Sequence, residues 1–202
     1  MFKGSIVALI TPFNNDKLNE ENYVKLIHHH LENGTNGVVP AGTTGESPTL
    51  SHSEHNKVIE LAIKECKGKI PVIAGTGSNS TSEAIELSVH AEKSGADGLL
   101  IVTPYYNKPT QEGLYQHYKK INDSVGIPIV IYNIPSRSVI DMSVDTMKKL
   151  YELKNIVGVK DATGDLSRVD QQLKAMGKDF IQLTGEDGFA LEFYRRGGVG
   201  CI

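Results

Sequence analysis

The sequence predicts an α/β protein built as a parallel (β/α)8 barrel. Short runs rich in Val, Ile and Gly alternate with amphipathic stretches of helical period, and polar loops separate them. Strands that alternate with helices pair in parallel through right-handed crossovers, and eight such units most simply close into a TIM barrel. The eight predicted strands are residues 5–10, 37–40, 71–75, 98–103, 128–133, 156–160, 180–185 and 198–202.

The predicted helices lie between these strands and begin after residues that can cap them. Asn19 and Ser51 precede the first two helices, where a side-chain oxygen can accept a hydrogen bond from a free N–H group. Thr81 and Ser143 stand in the same position before later helices. Glycine follows several helix ends, as at Gly95. Helices are expected at 20–32, 53–64, 82–93, 112–123, 144–150 and 166–176.

A doubly wound open sheet uses the same alternation and is the alternative architecture. It would place a phosphate-binding glycine loop after an early strand, but the nearest match, residues 75–80, lacks the third glycine. The acidic residue expected about twenty residues later would be Asp97, which precedes its strand instead of ending it. The barrel is therefore the predicted fold, as one domain over residues 1–202.

Composition points to a protein that acts on small molecules. The 202 residues are 39% hydrophobic with a net charge of −3, which provides no electrostatic attraction for nucleic acid or an anionic membrane. The first apolar stretch, 6–10, is too short for a membrane helix or a signal peptide, so a cytoplasmic location is expected. Cys66 and Cys201 lie far apart, and neither a disulfide framework nor a metal site is predicted.

Lys160 stands where a core residue is expected, at the end of the apolar run Ile-Val-Gly-Val-Lys. Strand alternation places Ile156, Gly158 and Lys160 on one face, with Gly158 leaving room for the lysine stem. A buried lysine without a partner loses its proton readily, and the neutral amine is a nucleophile for carbonyl carbon. The alternative is an ordinary lysine whose stem packs while its head reaches water.

Polar residues follow the other strands, and in a barrel these strand ends share one rim. They include threonines, tyrosines and an arginine. Each also has an ordinary structural interpretation: Thr43 and Thr44 as turn or cap residues, Tyr132 as a strand aromatic and Arg137 as a solvated charge. The segments are Gly42-Thr43-Thr44-Gly45-Glu46-Ser47, Pro104-Tyr105-Tyr106-Asn107, Tyr132-Asn133-Ile134-Pro135-Ser136-Arg137, Lys160-Asp161-Ala162-Thr163-Gly164 and Thr184-Gly185-Glu186-Asp187.

The first four of these segments, the second of them followed by Gln111-Glu112-Gly113-Leu114, resemble in this order the dihydrodipicolinate synthase and N-acetylneuraminate lyase family of class I aldolases, and the resemblance runs from Gly4 to Ile202. It implies a lyase that joins pyruvate to L-aspartate 4-semialdehyde in the diaminopimelate route to lysine. Lys160 would form an imine with pyruvate, and Tyr132 would move protons. Thr44 would connect Tyr132 to Tyr106, a residue contributed across a dimer interface. No metal or organic cofactor is implied, because the imine is itself the electron sink.

The resemblance also assigns the residues that hold the substrates. Thr43 and Thr44 would bind the pyruvate carboxylate, and Arg137 would bind the carboxylate of the semialdehyde. Gly185 and Ile202 match positions whose backbone lines the pyruvate pocket. Arg137 in the Pro-Ser-Arg sequence favours the semialdehyde over the neutral polyol that a sialic acid lyase accepts.

A second, regulatory site is implied at the dimer interface, where the end product L-lysine inhibits many members of the family. His52 and His55 have an alternative interpretation as an exposed helical pair or an adventitious metal pair. The matching residues are Ser47, Pro48, His52, His55, Asn79, Glu83 and Tyr105.

Family members are longer, with a last barrel helix and a C-terminal helical segment after the eighth strand. The 202 residues are thus expected to be a barrel truncated after strand eight, with an uncovered apolar face that makes them unstable alone or self-associating. The full-length form is expected to be a homodimer or homotetramer. Two functional alternatives stay open: another pyruvate aldolase for sugar acids, such as N-acetylneuraminate or 2-keto-3-deoxy acids, or an inactive barrel that only binds pyruvate or lysine.

Overall fold

The computed structural model describes residues 2–202 and shows eight parallel strands arranged as a barrel, with a separate two-stranded hairpin. Numbered along the chain, the strands are β1 (Gly4–Ala8), β2 (Phe13–Asn14), β3 (Lys17–Leu18), β4 (Gly37–Val39), β5 (Ile73–Gly75), β6 (Gly98–Val102), β7 (Ile129–Asn133), β8 (Ile156–Asp161), β9 (Ile181–Thr184) and β10 (Gly200–Cys201).

The barrel closes between its first and last strands in spatial order. The sheet runs β4, β1, β10, β9, β8, β7, β6, β5. A parallel bridge between Val38 and Val72 then joins the two ends. The predicted barrel is confirmed, and the carboxyl ends of all eight strands meet at one rim.

Eight helices in the described residues surround the barrel and connect its strands. Ser51 caps its helix with a complete capping box. The Ser51 side chain accepts a hydrogen bond from the Glu54 N–H, and the Glu54 carboxylate accepts one from the Ser51 N–H. The predicted cap Thr81 is wrong by one residue, because Ser80 accepts the hydrogen bond from the Glu83 N–H and Thr81 begins the helix. The helices are α1 (Glu20–Glu32), α2 (His52–Cys66), α3 (Thr81–Ser94), α4 (Gln111–Asn122), α5 (Pro135–Ser138), α6 (Val144–Tyr151), α7 (Ser167–Met176) and α8 (Ala190–Arg195).

The hairpin formed by β2 and β3 lies outside the barrel and was not expected from the sequence. Its turn residues Asn15 and Asp16 both have positive φ angles, 49° and 57°. Asn and Asp tolerate this left-handed conformation better than other side chains, which makes such a two-residue turn possible. The strands are only two residues long, below the length at which alternation gives a recognisable signal.

Two apolar cores hold the barrel together, one on each face of the sheet. The outer core lies between strands and helices and includes Ile129, Ile131 and Val159. The inner core fills the barrel and includes Val130 and Leu183. Central strands such as β6, β7 and β8 are buried on both faces, so their sequences are nearly continuous apolar runs, which is typical of parallel sheets.

The predicted facing of β8 is wrong at its beginning because of a bulge. Pairing with β7 runs Ile129 to Ile156 and then Val130 to Gly158, so that one residue, Val157, is skipped. Ile156 therefore packs in the outer core and Val157 against the inner core, the reverse of the expectation. After the bulge the alternation is as predicted, and Lys160 points into the barrel beside its register partner on β7.

Apolar residues near β10 are less well covered than those on β7. Leu191 is 67% exposed, and Tyr194 and Val199 are also exposed, whereas Ile129 and Ile131 are fully buried. The expectation that a further helix covers this side in longer relatives stays a prediction.

Candidate active site

Lys160 lies inside the rim of the barrel and is only 7% exposed. It is the cross-strand neighbour of Tyr132 on β7, and its Nζ atom lies 4.3 Å from the centre of the Tyr132 ring. Parallel pairing at this register brings the two side chains to the same height in the barrel. A nucleophilic amine and a phenol are therefore held in contact at the carboxyl ends of adjacent strands.

Burial lowers the pKa of Lys160 to about 8, and the carboxylates of Asp187 and Glu186 oppose this fall. The direction agrees with the buried-nucleophile interpretation, although a pKa near 7 would be needed for a half-neutral amine at pH 7. With a pKa of about 8, roughly a tenth of the side chains carry a neutral amine at pH 7. Reactivity with carbonyl carbon should therefore rise with pH through this range.

Gly185 leaves the space that the lysine stem occupies, a role expected of Gly158. A Cβ atom at Gly185 would lie 3.0 Å from Cε of Lys160 and 2.8 Å from Cβ of Ala162. A Cβ atom at Gly158 would instead collide with the carbonyl oxygen and side chain of Ile181 on β9. Gly158 thus allows β8 and β9 to approach closely, and Gly185 leaves room for the Lys160 side chain.

Tyr132 is buried, and burial raises the pKa of its phenol. The Thr43 hydroxyl and the positive charge of Arg137 act in the opposite direction, while Glu186 adds to the rise. The raised pKa keeps the phenol protonated at pH 7, so that it can act as a proton donor. The contact between Thr44 and Tyr132 that the family resemblance implies stays a prediction.

A cavity of about 680 Å³ opens at the rim and brings together seven of the predicted residues. A neighbouring cavity of about 250 Å³ shares Thr43, Tyr132 and Arg137 with it, so these three side chains lie between the two spaces. The predicted residues around the larger cavity are Thr43, Thr44, Tyr132, Arg137, Lys160, Gly185 and Ile202.

The loop after β4 presents both threonines to this cavity with their side chains exposed. Its backbone turns sharply, since Ala41 and Glu46 both have left-handed φ angles of 53° and 61°. The Thr11 hydroxyl donates to the Gly45 carbonyl oxygen at 2.7 Å and fastens the loop to the barrel. Two hydroxyl groups on a fastened turn can donate hydrogen bonds to a small carboxylate.

Tyr106 lies outside both cavities of the single chain. Its side chain is 86% exposed, and its backbone has a left-handed φ of 70°. The neighbouring Asn107 side chain donates to the Asn79 carbonyl oxygen at 3.0 Å and holds the loop. Because a single chain does not bring Tyr106 to Tyr132, its predicted role depends on a second copy.

Most of the residues predicted for a lysine site surround a third cavity, of about 100 Å³, which shares Ser47, Pro48 and Tyr105 with the 250 Å³ cavity. His52 and Glu83 contact each other across it, with 2.8 Å between Nε2 and Oε1. Asn79 lies beside this group, and its carbonyl oxygen is occupied by Asn107. The predicted residues that line the cavity are Ser47, Pro48, His52, His55, Glu83 and Tyr105.

His55 differs from His52, so the two do not form the exposed pair that was the alternative interpretation. His55 is buried, and burial lowers its pKa to about 4, which keeps the ring neutral at pH 7. His52 is exposed and is engaged by Glu83. The carboxylate of Glu83 is further held by the Ser78 hydroxyl, and both hydrogen bonds lower its pKa.

Several residues around the 680 Å³ cavity received no role from the sequence, among them Ser136, Glu186 and Asp187. Glu186 and Asp187 directly follow Gly185 after β9, a position at the reactive rim. Their position after a strand could have indicated that they belong to the site, but carboxylates after a strand are also common as turn residues and helix caps. Only the folded chain shows that both act on the pKa of Lys160.

Comparison with known proteins identifies relatives over the whole chain. The sequence profile of the dihydrodipicolinate synthetase (DHDPS) family matches residues 1–202. A 4-hydroxy-tetrahydrodipicolinate synthase of Pelagibacter ubique is 75% identical over 202 residues, which are 100% of this chain and 69% of that protein.

Two solved structures with bound small molecules share the fold. Dihydrodipicolinate synthase from Acinetobacter baumannii, chloride-inhibited and complexed with pyruvate, superposes with a TM-score of 0.97 at 49% identity, over 100% of this chain and 70% of that one. DHDPS from Cyanidioschyzon merolae with lysine bound gives a TM-score of 0.96 at 40% identity, over 100% and 69%.

None of the helices in residues 2–202 has the length and apolar character needed to cross a membrane.

Replacement of Asp187 by Asn should lower the pKa of Lys160. The Asp187 carboxylate stabilises the ammonium form, so its removal increases the neutral fraction at any pH near 8. We expect Lys160 to react with an amine-specific acylating reagent roughly two- to threefold faster at pH 7, with the pH profile displaced to lower pH. Labelling is measured by peptide mass spectrometry between pH 6 and 10.

The matched control is Asp145→Asn, which removes an exposed carboxylate of α6. This control should leave the profile unchanged. A displacement of the Asp187→Asn profile to higher pH, or none at all, would contradict the assigned cause of the pKa.

Proposed function

The chain belongs to the dihydrodipicolinate synthetase family, and on that premise we propose that it condenses pyruvate with L-aspartate 4-semialdehyde to give 4-hydroxy-tetrahydrodipicolinate in the lysine pathway. One observation carries the proposal. A lysine of lowered pKa lies in contact with a tyrosine ring inside a cavity that also contains two threonine hydroxyls and an arginine. Such a set fits an imine-forming aldolase that acts on two carboxylate substrates.

The neutral amine of Lys160 attacks the ketone carbon of pyruvate, and loss of water from the carbinolamine gives a protonated imine. The imine draws electrons from the adjacent methyl group, which loses a proton to become an enamine. The enamine carbon then forms a bond to the aldehyde carbon of the second substrate, whose oxygen takes up a proton. Attack of the substrate amine on the imine carbon frees Lys160 and closes the ring.

Tyr132 is the residue that we propose for the proton transfers in these steps. Its ring contacts the lysine amine, and its raised pKa keeps the phenol protonated before substrate arrives. The phenol donates to the carbinolamine hydroxyl so that it leaves as water. The resulting phenolate is stabilised by the Thr43 hydroxyl and by the charge of Arg137.

Two carboxylate sites follow from the side chains at the cavity. The hydroxyls of Thr43 and Thr44 suit the pyruvate carboxylate, which must lie close to Lys160. Arg137 suits the carboxylate of the semialdehyde, since a guanidinium can bind both oxygens at once. A neutral polyol would leave this arginine unpaired, so the charge favours the semialdehyde over a sugar acid aldehyde.

Tyr106 is proposed to act in a second copy of the chain. Its strained loop extends an 86% exposed aromatic side chain away from the barrel, where a neighbouring protomer can receive it. The smaller cavity beside Tyr132 and Thr43 is the space that such a side chain would enter. Thr44 and Tyr132 would then be connected to the solvent through the partner's tyrosine.

L-Lysine is the proposed ligand of the cavity around Glu83 and His52. Glu83 keeps its negative charge because its hydrogen bonds lower its pKa, and it can bind an ammonium group. Tyr105 lines both this cavity and the smaller cavity beside Tyr132. A lysine bound in the cavity around Glu83 would therefore contact Tyr105, which also lines the cavity beside Tyr132.

Borohydride added in the presence of pyruvate should trap a covalent adduct on Lys160. Reduction of the imine makes the bond permanent, and mass spectrometry of peptides then locates it. Lys160→Arg should form no adduct, because a guanidinium does not form an imine under these conditions. The exposed Lys178→Arg is the matched control and should be trapped like the wild type. A folded wild-type chain without an adduct would leave only a binding role.

Arg137→Ala should keep imine formation but lose condensation. Loss of a charged hydrogen bond to the semialdehyde carboxylate is expected to reduce kcat/KM for that substrate by about a hundredfold or more. Trapping by pyruvate and borohydride should change little. Arg195→Ala, at an exposed position of α8, is the control. Unchanged condensation in Arg137→Ala would remove the basis for naming this second substrate.

Glu83→Gln should weaken the binding of L-lysine by about tenfold or more, because the ammonium group loses its charged acceptor. Isothermal calorimetry measures the affinity. Glu86→Gln changes an exposed carboxylate of the same helix and should bind like the wild type. Equal affinity in both variants would place lysine elsewhere or nowhere.

A further inference from the structure

Arg137 lies in a loop whose two ends are fastened together. The loop, residues 134–141, follows β7 and contains the short helix α5. The Asn133 side chain donates to Oδ1 of Asp141 at 2.8 Å, and its own oxygen accepts from the Met142 N–H at 3.0 Å. Asn133 is fully buried. We refer to residues 134–141 as the Arg137 loop and to the bonded set Asn133, Asp141 and Met142 as its neck.

A second buried group holds the neck from the outside. Arg168 on α7 is 8% exposed, and its guanidinium donates to the Met142 carbonyl oxygen at 2.8 Å. Another nitrogen of the same group lies 3.4 Å from Oδ2 of Asp141. The guanidinium therefore contacts two of the three residues of the neck, Asp141 and Met142.

The third contact of Arg168 goes to the strand that carries the reactive lysine. Nε donates at 3.0 Å to Oδ2 of Asp161, the residue after Lys160. Asp161 is buried and points to the outside of the barrel as Lys160 points inward. Its carboxylate also accepts from the Gln172 side chain at 2.9 Å and from the Thr163 hydroxyl at 2.6 Å, so its position is well determined.

Arg168 thus bridges the end of β8 to the neck of the Arg137 loop. Nothing in the chemistry of imine formation requires this bridge, because Lys160 is held by its own strand and by the barrel. A reaction with two substrates does require that Arg137 lie at a set distance from Lys160. The bridge provides the connection between these two residues behind the cavity.

We propose that Arg168 is a positioning residue, which sets the place of Arg137 relative to Lys160 and so aligns the second carboxylate substrate for attack by the enamine. This inference rests on the proposed function. A buried ion pair is weak evidence for a stabilising role, since apolar residues of similar volume often replace such a pair with little loss of stability. A displacement of about 1 Å in a substrate-binding group, in contrast, can reduce a rate by about a hundredfold.

The test is Arg168→Lys, which keeps the positive charge but cannot bridge three acceptors with a planar fork. We expect kcat/KM for L-aspartate 4-semialdehyde to fall by about tenfold or more, largely through KM, while pyruvate trapping by borohydride stays within about twofold of the wild type. Asp141→Asn changes a half-exposed side chain and so tests the bridge without a change in the core. It should also lower kcat/KM for L-aspartate 4-semialdehyde, by a smaller factor, and leave pyruvate trapping nearly unchanged.

The matched control is Arg196→Lys, which alters an exposed pair between Arg196 and Asp170 of α7 at 2.7 Å. It should leave both substrates unaffected. Equal losses for pyruvate trapping and condensation in both bridge variants would show a purely structural role and overturn the inference, as would unchanged kinetics. A wild-type chain that forms no pyruvate adduct would overturn the proposed function first and this inference with it, which separates the two failures.

Discussion

Closure of eight parallel strands is the constraint on which the other features depend. The Val38–Val72 bridge joins the ends of the sheet, so every strand has its carboxyl end at one rim and its inner face in a narrow core. Residues distant in sequence, such as Thr43 and Lys160, consequently line the same cavity. Without closure the sheet would present these side chains along an edge instead of around a common space.

The site depends on two opposing effects on one amine. Burial favours the neutral form of Lys160, and the carboxylates of Glu186 and Asp187 favour the charged form. The resulting pKa of about 8 keeps the amine mostly protonated at pH 7 but leaves a neutral fraction. Tyr132 is tuned in a similar way, since burial raises its pKa and Thr43 and Arg137 oppose the rise. Charged side chains at the rim thus shift the pKa values of Lys160 and Tyr132 inside the barrel.

Much of the fold was predictable because long apolar runs and helix caps are local signals. All eight barrel strands and six helices are where the sequence places them, to within a few residues. The errors have local geometric causes. Val157 is skipped by a bulge that depends on pairing with β7, and the β2–β3 hairpin is too short to show alternation. Gly158 was assigned to the lysine stem, although its neighbour is Ile181 of the adjacent strand.

The sequence by itself determined the barrel and identified Lys160 and most of the other candidate residues that line two of the cavities, because motifs at strand ends are contiguous and their order is preserved. The tertiary structure alone decided which groups act on Lys160, that Gly185 makes room for it, and that Arg168 connects its strand to the Arg137 loop. These relations depend on distances between side chains from different strands and helices. Such distances are set by strand register and helix packing, which leave no contiguous pattern in the chain.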